Sequence, residues 1–237
     1  MLTRVSGENG SITVRAMTDP KSFFLGADIA DYLVAHGTPP DAVQAALISD
    51  TAALGGISMM QISPEQGAFM TLLTRIIGVE FAVEVGTFTG YSALCIARGL
   101  SPGGRLVCCD VSDEWTRVGR PHWEAAGVAD RIDLRIAPAI ETLRALPASP
   151  AIDLAFIDAD KPNYAAYYEE ILPRLSPRGV ILVDNVLWGS AVIDAAATDE
   201  NTVAIRAFND MVAADPRVMA AMIPLGDGLT LITPATP

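Results

Sequence analysis

The strongest constraint on how this chain folds is a change of rhythm at Phe81. From there on, short apolar runs rich in β-branched residues alternate with helical stretches. The runs are Phe81–Val85, Arg105–Cys109, Ile132–Ile136, Leu154–Ile157 and Val180–Val183. Each is apolar through most of its length, as parallel strands are when helices cover both faces of the sheet. Tyr91–Leu100 and Tyr164–Leu175 carry helical spacing between the runs, and crossovers of roughly 10 to 15 residues build a doubly wound α/β sheet. Further on, Val218–Ile223 and Leu229–Ile232 flank Gly226-Asp227-Gly228 and predict an antiparallel hairpin that ends the sheet. No repeat or Pro/Gly-rich linker interrupts residues 81–232, so they read as one α/β core.

The residues ahead of that core are helical in pattern. One helix is expected over roughly Ser22 to His36. A second opens at Thr38-Pro39-Pro40, with Thr38 as its cap and prolines in its first turn, and runs toward Leu54. A third opens at Ser63-Pro64-Glu65-Gln66 and places Phe69, Leu72, Leu73 and Ile76 at helical spacing. Residues 22–77 are thus an N-terminal helical layer, and the polar residues 1–20 are expected to form a loosely held arm. A chain of 237 residues arranged in this way is expected to be a single domain.

Charge narrows the partners. Asp plus Glu total 28 against 16 Lys plus Arg, a net charge of −12, the wrong sign for tracking a nucleic-acid backbone or an anionic membrane. The most apolar long window, Ala42 to Ser63, is broken by Asp50 and Gly55-Gly56, so no membrane span is expected. Residues 1–20 lack an apolar signal core, which makes the cytoplasm the expected location. Cys95, Cys108 and Cys109 read as reduced core residues. Neither His36 nor His122 stands near a cysteine at zinc-site spacing, and the question of a metal therefore moves to the carboxylates.

Two constellations carry chemistry. Glu84-Val85-Gly86-Thr87-Phe88-Thr89-Gly90-Tyr91-Ser92 leaves the first strand and enters a helix, where glycines let backbone and ligand approach closely. Asp110 ends the second strand, where an acid can accept hydrogen bonds from both hydroxyls of a ribose. The glycine spacing lacks the G-x-G-x-x-G that seats a pyrophosphate, so the pair points to a nucleoside without phosphates. Glu84, inside an apolar strand, requires a partner such as a bound amine or cation. In the second constellation, Asp158-Ala159-Asp160-Lys161-Pro162-Asn163-Tyr164 follows the fourth strand and Asp184-Asn185 ends the fifth. If these strands are neighbours, Asp158, Asp184 and the Asn185 amide oxygen surround one point. Three oxygen ligands suit Mg²⁺, with Mn²⁺ or Ca²⁺ as other hard cations. Either acid alone is more simply a helix cap. Lys161 can serve as a general base beside a cation, although a lysine after a strand is ordinarily a solvated surface residue. Trp188 either walls an aromatic substrate or packs under its loop.

With these motifs, Glu84 to Ser92, Asp158 to Tyr164 and Asp184-Asn-Val-Leu-Trp188, the chain resembles the cation-dependent class I O-methyltransferases of the caffeoyl-CoA and catechol type. The resemblance runs from about Met60 to Val192, with further matches at Asp215-Pro216-Arg217 and Gly226-Asp227-Gly228. It implies a Rossmann-like sheet of seven strands, a homodimer and S-adenosylmethionine as methyl donor. Glu84, Gly86, Ser92, Asp110, Asp158 and the backbone around Ala139 would line the donor site, with Met60 and Ile62 covering its methionine part. Asp158, Asp184 and Asn185 would hold the cation, and Lys161 would be the base. Where plant caffeoyl-CoA enzymes carry basic and aromatic residues, this chain has the acidic, small stretch Ile193 to Asn201, so a small catechol-like acceptor is expected in place of a CoA thioester. Two other readings keep the fold: a nicotinamide-dependent dehydrogenase, which would leave Asp158, Asp184 and Asn185 without a role, and a non-catalytic nucleoside-binding protein.

Overall fold

The structure, a computed structural model, describes residues 24–147, 149 and 151–235. The expected arm at 1–20 and the first two residues of the expected first helix lie outside them. Three helices come first: α1 (Ala27–His36), α2 (Ala42–Ala52) and α3 (Pro64–Ile77). The cap of α2 is Asp41 and not Thr38, because Asp41 accepts from the backbone N–H groups of Val43 and Gln44 while the Gln44 side chain returns a bond to Asp41. Thr38 and Pro39 each precede a proline, which disfavours helical backbone at both. In α3 the expectation holds, with Ser63 capping Gln66, Pro64 in the first turn and Gly78 closing the helix in the left-handed region.

The sheet then alternates with helices as β1 (Phe81–Val85), α4 (Tyr91–Gly99), β2 (Arg105–Asp110), α5 (Asp113–Ala125), β3 (Ile132–Ile136), α6 (Ala139–Ala145), β4 (Ile152–Ile157), α7 (Tyr164–Ile171) and β5 (Leu175–Asp184). Next come α8 (Glu200–Ala214), β6 (Val218–Ile223) and β7 (Leu229–Pro234). Seven strands form one sheet in the order β3-β2-β1-β4-β5-β7-β6. Pairs from β3 through β5 are parallel, and β7 pairs antiparallel with both β5 and β6. The doubly wound sheet and its terminal hairpin are those expected from the sequence.

Three details differ. At only seven residues, α6 is shorter than the crossover helices expected. Helix α7 ends at Ile171 and tightens into a 3-10 turn at Leu172–Arg174, because Pro173 has no N–H for the next helical bond. A whole helix, α8, falls where no element was expected; it is capped by Asp199, which accepts from Thr202. Alternate side chains of the central strands β1, β2 and β4 enter two cores. Ala82 and Leu106 pack with α2, α3 and α4 on one face, while Val83, Val85 and Ile157 pack with α6, α7 and α8 on the other. Chain order reverses between β1 and β4, and the crevice beyond their carboxyl ends is where open α/β sheets bind ligands.

Candidate active site

At that crevice two loops are pressed together. Gly86, with φ +91, lies so close to the β4 loop that a Cβ there would come within 2.1 Å of the Asp158 carbonyl oxygen. The Asp158 N–H donates to Val85 C=O at 2.8 Å, and the Gly86 N–H donates to Cys109 C=O at 2.9 Å. Only glycine fits this backbone conformation and this spacing together. The proposed donor loop and the proposed metal loop are therefore walls of one cleft. At the loop's far end Gly90, with φ +79, would drive a Cβ to 2.3 Å from the Trp123 ring. The Trp123 indole N–H donates to Gly90 C=O at 3.0 Å, and Thr51 of α2 donates to Thr89 at 2.8 Å.

Asp110 does more than end its strand. One carboxylate oxygen accepts the backbone N–H groups of Thr87 at 2.9 Å and Phe88 at 2.8 Å, and the other accepts Ser112 N–H at 2.8 Å. Phe88 takes φ +50, rare for a bulky side chain, and Trp115 packs edge-on against its ring at 5.5 Å. The acid thus pins the turn between β1 and α4. The Ala137 N–H donates to Asp110 C=O at 3.0 Å, which hangs the loop leading to Ala139 on the same residue. Ile62 is buried in the core beneath α4, while Met60 stands 47% exposed at the end of the 3-10 turn Gly55–Met60.

Glu84 is fully buried, and neither of its carboxylate oxygens accepts a hydrogen bond. The Ser92 hydroxyl, Cys108 thiol and Thr87 hydroxyl lie beside it and hold its pKa down, but burial outweighs them and pushes it up to about 7. Two orphaned acceptor oxygens in the interior fit a cationic ligand.

Across the cleft, Lys161 is only 8% exposed. Its Nζ donates to Asn185 Oδ1 at 2.6 Å, to the Tyr164 hydroxyl oxygen at 2.6 Å and to Asp158 Oδ1 at 3.1 Å. The Tyr164 hydroxyl passes its own proton toward Asp184 C=O at 3.2 Å. A solvated surface lysine is excluded by this burial. Asp184 is also buried; one oxygen accepts Gln66 Nε2 at 3.0 Å and the other the Asn185 N–H at 2.8 Å. Burial, and then the charge of Asp158, pushes the Asp184 pKa up. Burial and the nearby carboxylates also hold the Tyr164 hydroxyl well above its ordinary range. Asn185 takes φ +58, which asparagine tolerates, and so aims its amide into the cleft. Lys161 Nζ lies 5.6 Å from the centre of the Trp188 ring, so the indole stands at the cleft and not beneath its loop.

Asp158, Asp184 and Asn185 are thus gathered as the spacing predicted. Among the described residues no three His, Cys, Asp or Glu side chains cluster as a metal site; this set is two carboxylates and an amide. Its chemistry fits a hard cation, since the Asp158 and Asn185 oxygens converge on Lys161 beside buried Asp184, and the two carboxylates lack a full complement of positive charge. Three contributors had no role in the sequence reading. Gln66 holds Asp184, Tyr164 holds Lys161, and Asp227 accepts the Gly189 N–H at 2.6 Å behind Trp188. Tyr164 could have been found from its spacing, three residues beyond Lys161; Gln66, 118 residues from Asp184, left no local signal.

A sheet of this topology with a cleft at its switch point defines a Rossmann-like α/β fold, and comparison with known proteins identifies the family. The family model described as O-methyltransferase matches residues 39–234. The mouse protein named "Catechol O-methyltransferase domain-containing protein 1" is 42% identical over 179 residues, covering 74% of this chain and 68% of its own. The "Caffeoyl-CoA O-methyltransferase" of Mesembryanthemum crystallinum is 36% identical over 184 residues, covering 73% of this chain and 72% of its own. The O-methyltransferase of Bacillus cereus, solved in complex with SAH, superposes with a TM-score of 0.80 at 34% identity, covering 87% of this chain and 97% of that one. The chain belongs to the O-methyltransferase family, and it is an O-methyltransferase.

Proposed function

We propose that this enzyme transfers a methyl group from S-adenosylmethionine to one hydroxyl of a small catechol-like phenol with the help of a divalent cation. The observation that carries this is the meeting of Asp158 Oδ1, Asn185 Oδ1 and Lys161 Nζ at one point, with Trp188 alongside. The donor is supported by the SAH complex of the Bacillus cereus relative and by the orphaned Glu84 carboxylate beside Ser92, which suits an ammonium group. Gly86, Asp110, Ala139 and Asp158 complete the donor side, and Met60 and Ile62 its cover. Asp158, Asp184 and Asn185 would hold Mg²⁺, or Mn²⁺ or Ca²⁺ in its place. Such a cation supplies positive charge against the ionising hydroxyl and fixes which of two adjacent oxygens is presented.

The chain's own residues do the rest. A free phenol has a pKa of about 10 and is almost wholly protonated at neutral pH, so Lys161, acting as the neutral amine with a free lone pair on Nζ, accepts the proton as the oxygen attacks the methyl carbon and the methyl–sulfur bond breaks. Tyr164 and Asn185 hold that amine in place, and Trp188 covers the ring. The buried walls exclude water and strengthen these charge interactions.

A phenolic CoA thioester is the second reading, favoured by the name of the plant relative. Against it stands the stretch after Trp188. Its neighbouring cation, Arg206, is committed to the backbone carbonyls of Ala191, Val192, Asp194 and Ala197, while Asp194, Asp199 and Glu200 repel a polyanion. We also propose that the chain acts as a single cytoplasmic domain that forms a homodimer. The exposed Leu72 and Ile76 of α3 and Ile29 and Leu33 of α1 supply an apolar face for a second copy.

The test is a methylation screen of catechols, flavonoids and phenolic thioesters, with Mg²⁺ and with EDTA. Catechols should be methylated, EDTA should abolish turnover, and Mg²⁺ or Mn²⁺ should restore it. Full turnover in excess EDTA would show that Asp158 and Asp184 serve only as structural acids.

A further inference from the structure

At the end of the sheet remote from the cleft, the last turns of α3 and α4 and the short turn Ala129–Arg131 surround a hollow of about 360 Å³. Arg75, Arg98 and Arg131 line it together with Ser101. We infer that this hollow binds a phosphate-bearing anion, at a site distinct from the one that carries out methyl transfer.

The charges of these three arginines are not used alike. Arg98 is spent within the fold, on Asp41 at 2.7 Å and on the Gln44 side-chain oxygen at 2.9 Å. The Arg75 and Arg131 guanidinium groups form no hydrogen bond or ion pair with any described residue, and the Ser101 hydroxyl makes none either. In a chain with 28 acids and 16 Lys plus Arg, these two guanidinium groups leave positive charge at one hollow that no described acid pairs with. Glu80 and Asp130 are close in sequence, yet neither pairs with them. One arginine in the last turn of a helix is explained by the negative end of the helix dipole. That accounts for Arg75 on α3 and Arg98 on α4, but not for Arg131, which belongs to neither helix and faces the same space.

The shape of the donors selects the ligand. Guanidinium groups present planar forks that match phosphate oxygens two at a time, and a free hydroxyl adds a further donor. The hollow is mostly polar and too weakly apolar to hold a hydrocarbon ligand by burial. It also lies away from the catalytic loops. Helix α3 runs from Gln66, which bonds Asp184, to Arg75, and nine residues of helix span about 13 Å.

The experiment titrates inorganic pyrophosphate into the full-length protein by calorimetry, without divalent cations and at ionic strength held constant with sodium chloride. A single saturable site is expected, weakened about tenfold or more in Arg75→Gln/Arg131→Gln and by less in either single variant. Arg75→Lys/Arg131→Lys should retain part of the affinity, because charge survives while the fork is lost. Acetate should bind far more weakly than pyrophosphate. Catechol methylation by the glutamine double variant should match wild type, which also shows that it is folded. Heats indistinguishable from dilution, equal binding of acetate, or undiminished affinity in that active double variant would each overturn the inference. A failure of catechol turnover in the wild-type protein bears only on the proposed function.

Discussion

At Lys161 the decisive property is burial. The motif shows a lysine three residues after an acid, and the same spacing on a surface would mean nothing. The structure instead seats its Nζ on Asp158, Tyr164 and Asn185 in a site it shares with Trp188. If this amine takes the phenolic proton, Lys161→Ala should lower turnover roughly 10²–10⁴-fold. The loss should shrink as pH rises and for nitrocatechol, whose more acidic hydroxyl needs less help, while affinity for S-adenosylmethionine stays near wild type. Turnover against pH for catechol and nitrocatechol, in both proteins at saturating Mg²⁺, measures this. An equal loss for both substrates at every pH would make Lys161 a residue that positions the site. The oxygens around it were legible because Asp158, Asp184 and Asn185 all stand at strand ends. Gln66 was not, because its partner is reached only through the tertiary fold.

Among the elements, the turn between β1 and α4 shows how a strand-end acid can serve two purposes. The sequence presents Asp110 as a ribose acceptor, and the structure adds that it pins Thr87, Phe88 and Ser112 by their N–H groups. Removing it should therefore loosen the turn and weaken the donor site together. For Asp110→Ala the loss of a charged acceptor corresponds to about 1.5–3 kcal/mol, or roughly 10- to 150-fold in S-adenosylmethionine affinity. Calorimetry reads the affinity, and hydrogen exchange should show the Thr87 and Phe88 amides losing protection. Weakened binding with unchanged exchange would assign Asp110 to the ligand alone. Strand positions in this core were readable because both faces are buried, so apolar runs mark them directly. Helix α8 was hidden: its buried residues Thr202, Ile205, Phe208 and Val212 follow an acidic, small stretch that reads as loop, and only the Asp199 cap announces it. The α2 boundary was misplaced for a related reason, since Thr38 and the two prolines after it suggested a cap that Asp41 provides three residues later.

For the whole molecule, the cleft stores negative charge that the fold alone does not neutralise, and stability should report it. Glu84 is fully buried, and its pKa stands at about 7 against an ordinary 4.5. A carboxyl with a raised folded-state pKa favours the folded state while both states are protonated, below about pH 4.5. As pH rises, the unfolded chain releases its proton first, so stability falls through the interval from about 4.5 to 7 and levels off above it. The shift corresponds to about 3 kcal/mol for Glu84, and buried Asp184, shifted in the same direction, adds to the decline. The ligand-free protein should therefore melt at a higher temperature near pH 5 than near pH 8. Glu84→Gln should flatten part of that profile, because an amide of the same shape does not titrate. Mg²⁺ should raise the melting temperature more at pH 8, where Asp184 is ionised, than at pH 5. Melting curves of wild type and Glu84→Gln across this range, each with Mg²⁺ and with EDTA, separate the two carboxyl groups. A profile that rises from pH 5 to pH 8 without ligand would mean that both acids are already satisfied inside the fold, and the cleft would then have no need of the cationic ligands proposed for it.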